Sequence, residues 1–162
     1  LKEEIMALTL SSSAFKQDEV IPLRYSCEGE NISPPLAWHG VPEGTRSLVL
    51  ILDDPDAPRG LFTHWIVYNL PPNLDGLPED AAANVVHQLS AIHGRNDFGQ
   101  RTYGGPCPPR GDDAHRYYFR LYALDSPINV MSGAPRPQVL DALRDHVLER
   151  AELVGLFERA EV

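Results

Sequence analysis

The sequence predicts a β-rich α+β domain with its main helix near the C-terminus. Three observations carry that reading. Several short apolar segments follow the two-residue alternation or unbroken apolar run of strands, and only one segment shows convincing helical spacing. Fifteen prolines in 162 residues are about twice the average density of roughly 5%, which disfavours a helical bundle because proline breaks helix interiors. At 43% hydrophobic and 23% charged residues, the chain has enough apolar surface for one packed core, and disorder is not expected.

Taken in chain order, Met6 to Ser11 reads as a weak strand. Ser47 to Asp53 (SLVLILD) is apolar at nearly every position, as in a strand buried on both faces. His64 to Leu70 (HWIVYNL) is a second strong strand, stopped by Pro71 and Pro72. Val85 to Ile92 reads as another weak strand. In His115 to Leu124 (HRYYFRLYAL), alternation puts His115, Tyr117, Phe119, Leu121 and Ala123 on one face and Arg116 and Arg120 on the other. From Gln138, the residues Leu140, Leu143, Val147, Ala151 and Val154 follow three-four spacing and predict one long helix, with Pro137 suited to its first turn and Gly155 weakening its end.

Charge narrows the functional classes. With 23 acidic against 14 basic residues the net charge is -9, the opposite of the basic footprint that nucleic acid or an anionic membrane surface selects. No run of about 18 apolar residues is present, so no membrane span is expected. The N-terminus lacks the apolar stretch of a signal peptide, and a cytoplasmic location is the default expectation. The chain begins with Leu, and residues 1–5 read as an addition ahead of Met6. Two cysteines, Cys27 and Cys107, exclude a disulfide scaffold and a four-cysteine zinc site. Two reduced thiols are the simpler reading, because a bridge needs Cα atoms within about 7 Å; one bridge stays open. The six histidines lack the close pairing of helical zinc sites, so neither metal nor cofactor is expected.

The candidate site comes from two proline-rich loops that each run into a strand. Asp54-Pro55-Asp56-Ala57-Pro58 is followed by Phe62-Thr63-His64-Trp65. Gly105-Pro106-Cys107-Pro108-Pro109-Arg110-Gly111 is followed by His115-Arg116-Tyr117. Carboxylates, imidazoles and a phenol at strand mouths suit a small anion, and proline makes such loops rigid before binding. The competing reading makes Asp54 and Asp56 turn caps and His64 and His115 core histidines with satisfied hydrogen bonds.

These two segments resemble the signature regions of the phosphatidylethanolamine-binding protein family, which includes Raf kinase inhibitor protein. Supporting strings are Cys27 to Leu36 (CEGENISPPL), Gly94 to Phe98 (GRNDF) and His146-Val147-Leu148. The similarity runs over roughly residues 8 to 155 and is closest to the compact bacterial and archaeal branch. It implies a central antiparallel sheet packed on a second, smaller sheet, and a surface cavity for phosphate-like or carboxylate anions. Carried over, the lining would be Asp54, Asp56, His64, Pro109, His115 and Tyr117. Cys107 stands where the signature loop often offers a backbone N–H, and Phe62 stands where animal members usually place a tryptophan. The segment between the aspartates and the histidine is shorter than in animal members.

The resemblance implies a non-enzymatic binding protein for a small anionic ligand. An inhibitor of a serine protease or a kinase is the alternative, with Tyr103 to Ala114 as the contact loop and Arg110 a candidate contact. Acid–base catalysis by His64, His115 and the aspartates is a third reading, weakened by the lack of a neighbouring nucleophile. A homodimer stays open.

Overall fold

The computed structural model describes residues 7–160; residues 1–5 and Met6 lie outside the described residues. Two antiparallel sheets form the framework. The larger contains β3 (Ser47–Asp54), β4 (Phe62–Leu70), β6 (Ile92–His93), β7 (His115–Leu124) and β8 (Val147–Phe157), in the order β6-β4-β3-β7-β8. The smaller contains β1 (Thr9–Ser11), β2 (Leu36–His39) and β5 (Gly76–Leu77), in the order β1-β2-β5. Every pairing between these strands is antiparallel. This is the arrangement expected from the sequence. Among the described residues, no helix is long and apolar enough to cross a membrane.

Strand β3 is central, and its apolar run is buried on both faces, as predicted. Leu48, Leu50 and Leu52 join Trp65, Val67, Phe119 and Leu121 in the core shared with Leu10, Leu36 and Trp38 of the smaller sheet. Val49 and Ile51 point the other way, into a second core with Ile66, Tyr68 and the helical residues Val139 and Leu143. Burying one such aliphatic side chain contributes about 1.5–3 kcal/mol, so β3 anchors both layers.

Three expectations need correction. The long C-terminal helix is short: α2 covers Arg136–Leu143, and the chain turns at residues 144–146 before running as β8. Pairing of β8 with β7 extends from His115–Phe157 to Leu124–Val147. The helical spacing at Val147, Ala151 and Val154 hid an alternation in which Ala151, Leu153 and Phe157 are buried in the core, and the long ladder outweighs the local helical preference. Second, Val85 to Ile92 is not one strand. Helix α1 occupies Val85–Gln88, Ser90 adopts φ 61°, and only Ile92 and His93 pair with β4. Val86 is buried in the core with Leu89 packed beside it, a three-residue spacing, and that packing selects the helical turn.

Third, Cys27 and Cys107 are not reduced thiols. They form a disulfide with Cα atoms 5.4 Å apart. The backbone N–H of Cys27 donates to the Pro106 carbonyl at 3.1 Å, which brings together segments 80 residues apart in sequence. No local pattern reports such a contact.

Gly155 tests the strand assignment of the C-terminal region. A Cβ there would lie 2.5 Å from Ile21 Cγ1 and 2.8 Å from Phe15 Cε2, in the middle of the packed interface. In an exposed helix, Gly155→Ala would stabilise by about 1 kcal/mol. In β8 it should destabilise, by about 1–3 kcal/mol through overpacking, as a denaturant melt of both proteins will read.

Candidate functional site

The site lies where the buried central strand ends. Antiparallel pairing sets the C-terminus of β3 beside the starts of β4 and β7, with Asp54 opposite Phe62 and Asp53 opposite both Thr63 and Tyr118. Asp54, Phe62, His64, His115 and Tyr117 thereby converge on one cavity of about 210 Å³, closed on its other side by Cys107, Pro108 and Pro109.

A bulge aims His64. The β3–β4 ladder pairs Leu52 with Trp65 and Asp53 with Thr63, leaving His64 as the extra residue between them. Strict alternation would turn His64 away from Trp65. The bulge instead lets Phe62 and His64 line the cavity while Trp65 enters the core beneath it, a common use of bulges near binding sites. His64 Nδ1–H donates to the Gly104 carbonyl at 2.8 Å, and Gly104 N–H donates back to the His64 carbonyl at 3.0 Å. Nε2 has no hydrogen-bond partner among the described residues. Burial lowers the His64 pKa below its ordinary value, with the Gly104 carbonyl and the Asp54 charge opposing the shift. The ring is therefore neutral at pH 7.

His115 has the opposite environment. Nδ1 faces Asp54 Oδ2 at 2.7 Å and Nε2 faces Asp112 Oδ2 at 3.0 Å. Burial pulls its pKa down, but the two carboxylate hydrogen bonds outweigh that effect and the net shift is upward. An imidazolium donates at both nitrogens, so the pair of carboxylates selects it.

Tyr117 is fully buried, and its hydroxyl is the one buried side-chain polar atom without a hydrogen-bond partner among the described residues. Burial raises its pKa, followed by the nearby Asp54 carboxylate through its charge and a hydrogen-bonding contact too loose to count as a formed bond, so the phenol keeps its proton at any physiological pH. Its ring packs edge-on to His64 at 5.4 Å and stacks with His115 at 6.4 Å between centroids. His115 and Tyr117 thus share a face, as alternation predicts.

Asp56 sits elsewhere. Its carboxylate takes both Nε–H (2.9 Å) and Nη2–H (2.8 Å) of Arg116, together with the Arg116 backbone N–H at 2.8 Å. Arg116 holds the Asp56 pKa down at about 2. Asp56 is absent from the cavity lining and lies on an adjoining acidic cleft with Asp112 and Asp113. It clamps the Asp54–Pro58 loop onto β7. The turn-cap reading also holds for part of Asp54, whose Oδ1 accepts the Asp56 N–H at 2.8 Å.

Four lining residues lie beyond the expected set: Ala57, Pro58 and Pro108 belong to the two proline-rich loops, and Phe98 comes from outside them. Its ring meets Phe62 at 4.8 Å and His64 at 5.3 Å, both edge-on, and it is 45% exposed at the mouth. Asn96 Oδ1 positions it by accepting the Phe98 N–H at 3.0 Å. The string Gly94 to Phe98 was the only signal for it. Gly104 makes room: a Cβ there would stand 2.5 Å from the Phe98 ring.

Residues 11–158 match the phosphatidylethanolamine-binding protein family. The chain belongs to that family. A UPF0098 protein of Pyrococcus horikoshii is 48% identical over 160 residues, covering 97% of this chain and 79% of the relative. One of Methanothermobacter thermautotrophicus is 48% identical over 152 residues, covering 94% and 99%. Among solved structures, a phosphatidylethanolamine-binding protein homolog from Chlamydia trachomatis aligns with a TM-score of 0.86 at 44% identity, covering 94% of this chain and 98% of its own. Escherichia coli YbcL, described as a member of the mammalian family, aligns at 0.88 with 37% identity, covering 95% and 99%. A carboxypeptidase Y inhibitor solved with its cognate proteinase aligns at 0.53 with 17% identity, covering 94% and 83%, and shares the fold alone. This family member therefore stands among bacterial and archaeal relatives, as its motifs indicate.

The His115 environment has a pH consequence. Its pKa is raised on folding, so its stabilisation is fully present below the unfolded value of about 6.5 and is lost as pH rises through the folded value. The stability difference between wild type and His115→Gln should be largest near pH 6 and shrink toward pH 9. Denaturant midpoints across that range will measure it; a difference that grows with pH would contradict a charged His115.

Proposed function

We propose that this protein is a binding module whose cavity takes a small organic phosphate or carboxylate, with the anion at Tyr117 and His64 and an apolar substituent against the aromatic mouth. The observation that carries this reading is the Tyr117 hydroxyl, a donor buried without a partner beside the unpartnered Nε2 of His64. Leaving a buried donor unpaired costs about 1–3 kcal/mol, a cost that a ligand oxygen removes. Ala57, Pro58, Phe62, Phe98, Pro108 and Pro109 supply the apolar walls, so an ester with a ring or alkyl group fits better than bare phosphate. The family's name refers to a phosphate diester, which is consistent with that chemistry.

Binding is favoured over catalysis. Among the described residues, the cavity lining holds no serine or threonine, and its cysteine is bonded to Cys27. An inhibitor role gains little support, because Cys107, Pro108 and Pro109 line the cavity and the exposed part of the loop is its short tip at 109–114.

Protonation decides how His64 takes part. With Nδ1–H committed to Gly104, the neutral ring offers only an acceptor at Nε2, so contact with a fully ionised oxygen requires protonation there. Because burial sets the unliganded pKa below its ordinary 6.5, affinity for phenyl phosphate should rise steadily as pH falls from 8 to 5. Calorimetry at several pH values checks this, and a flat profile would remove His64 from the anion contact.

Tyr117→Phe separates binding from folding. The hydroxyl makes no well-formed hydrogen bond, though it faces the Asp54 carboxylate, so the variant should melt close to the wild-type temperature. Losing a hydrogen bond to a charged oxygen, about 1.5–3 kcal/mol, should weaken phenyl phosphate binding roughly ten- to a hundred-fold. Unchanged affinity would overturn the proposal.

A further inference from the structure

The Cys27–Cys107 bridge forms part of the cavity wall. Cys107 lines the cavity together with Pro108 and Pro109, and both cysteines are partly accessible. The sulfur of Cys107 receives Nη1–H of Arg159 at 3.6 Å. Arg159 and Arg110 share one carboxylate, Glu28, at 2.9 and 2.8 Å. Two guanidiniums against one carboxylate leave a net positive charge beside the Cys107 sulfur.

Backbone contacts divide this loop into a fixed and a releasable part. Gly104 N–H donates to the His64 carbonyl, Gly105 N–H to Asn31 Oδ1, and the Pro106 carbonyl accepts from Cys27 N–H. These hold the loop up to Pro106. Beyond Cys107, the next described backbone bond is the local turn from Asp112 N–H to the Pro109 carbonyl. The disulfide ties the Pro108–Pro109 wall to the body of the protein at its near end, while Arg110, bonded to Glu28 at 2.8 Å and to the Ala160 carbonyl at 2.9 Å, holds its far end.

We infer that the bridge is a redox-cleavable clamp on the ligand cavity: a dithiol reductant opens it at Cys27, Cys107 leaves as a thiolate held by Arg159, and the cavity loses its grip on an anionic ligand. The attacking thiolate forms a new S–S bond to Cys27 Sγ while the Cys27–Cys107 bond breaks and its electron pair goes to Cys107. The second thiolate of the dithiol then attacks the mixed disulfide, closes the dithiol's own disulfide, and releases Cys27 as a thiolate that takes up a proton. Two electrons pass from dithiol to protein. Attack is directed to Cys27 because thiol–disulfide exchange runs faster when the leaving sulfur is the more acidic one, and a neighbouring cation acidifies Cys107. The consequence for binding has two sources. The Pro108–Pro109 wall is loosened at its Cys107 end, and one negative charge appears on the lining beside the anion. This consequence rests on the anion-binding reading above.

The test separates the two ideas. 2-Mercaptoethanol is reacted with the oxidised protein, the released thiol is capped with iodoacetamide, and both adducts are located by peptide mass spectrometry. The mercaptoethanol adduct is expected on Cys27 and the alkyl group on Cys107; the reverse assignment overturns the inference. Arg159→Gln should slow reduction by dithiothreitol about three-fold or more through loss of leaving-group stabilisation, and an unchanged rate overturns the role of Arg159. Full reduction should leave the far-UV circular dichroism intact and weaken phenyl phosphate binding at least ten-fold, whereas equal affinity in both redox states overturns the clamp. Loss of the circular dichroism signal would make the bridge a staple of the whole fold and overturn it as well. If the oxidised protein fails to bind phenyl phosphate, the anion-binding reading fails. The ligand-free NMR ring signals of His64 and Tyr117 then decide the clamp: shifts on reduction support it, and coincident spectra overturn it.

Discussion

Burial of β3 on both faces is the constraint on which the rest of the molecule depends. Its leucines fill one core and Val49 and Ile51 fill the other, so the strand tolerates polar groups only where it ends. There the chain places two consecutive buried carboxylates, Asp53 and Asp54. Each needs partners, because an unpaired buried charge is costly. Asp53 is met by Arg136 Nη2 at 3.0 Å and by the Thr63 hydroxyl at 2.8 Å on the α2 side. Asp54 is met by His115 on the opposite side. Satisfying the end of one strand thus organises both the α2 layer and the cavity.

The local electrostatics depart from the global charge. A net charge of -9 argues against long-range attraction of anions, yet the cavity itself is mostly apolar with the Tyr117 hydroxyl as a donor at its base. His115 lies between the Asp54 and Asp112 carboxylates, which raise its pKa, while burial lowers that of His64. The two imidazoles have the same chemistry in solution and opposite pKa shifts here. One is a positioning element for the carboxylate cluster, and the other has a ring nitrogen available to a ligand.

Sequence reading succeeded where the signal was dense and local. The apolar run at Ser47 to Asp53 can hardly be anything other than a doubly buried strand, and the alternation from His115 to Ala123 put His115 and Tyr117 on one face correctly. It failed where two periods coincide. Val147, Ala151 and Val154 fit a helix face, while Ala151, Leu153 and Phe157 fit a strand face, and only the partner strand decides between them. The same limit applies to Val85 to Ile92, where a short apolar stretch packs through a helical turn.

The sequence by itself determined the element that buries most, the two proline-stiffened loops, and the residue types available to the site. Those follow from side-chain chemistry and local backbone restriction, which each residue carries with it. The tertiary structure decided which of these residues meet. The bulge that turns His64 into the cavity arises from ladder register between β3 and β4. The diversion of Asp56 to Arg116 arises because that arginine sits across the loop on β7. The disulfide arises from an approach between segments 80 residues apart. Each is a contact between residues distant in sequence, set by packing of the whole chain, and local composition carries no record of it.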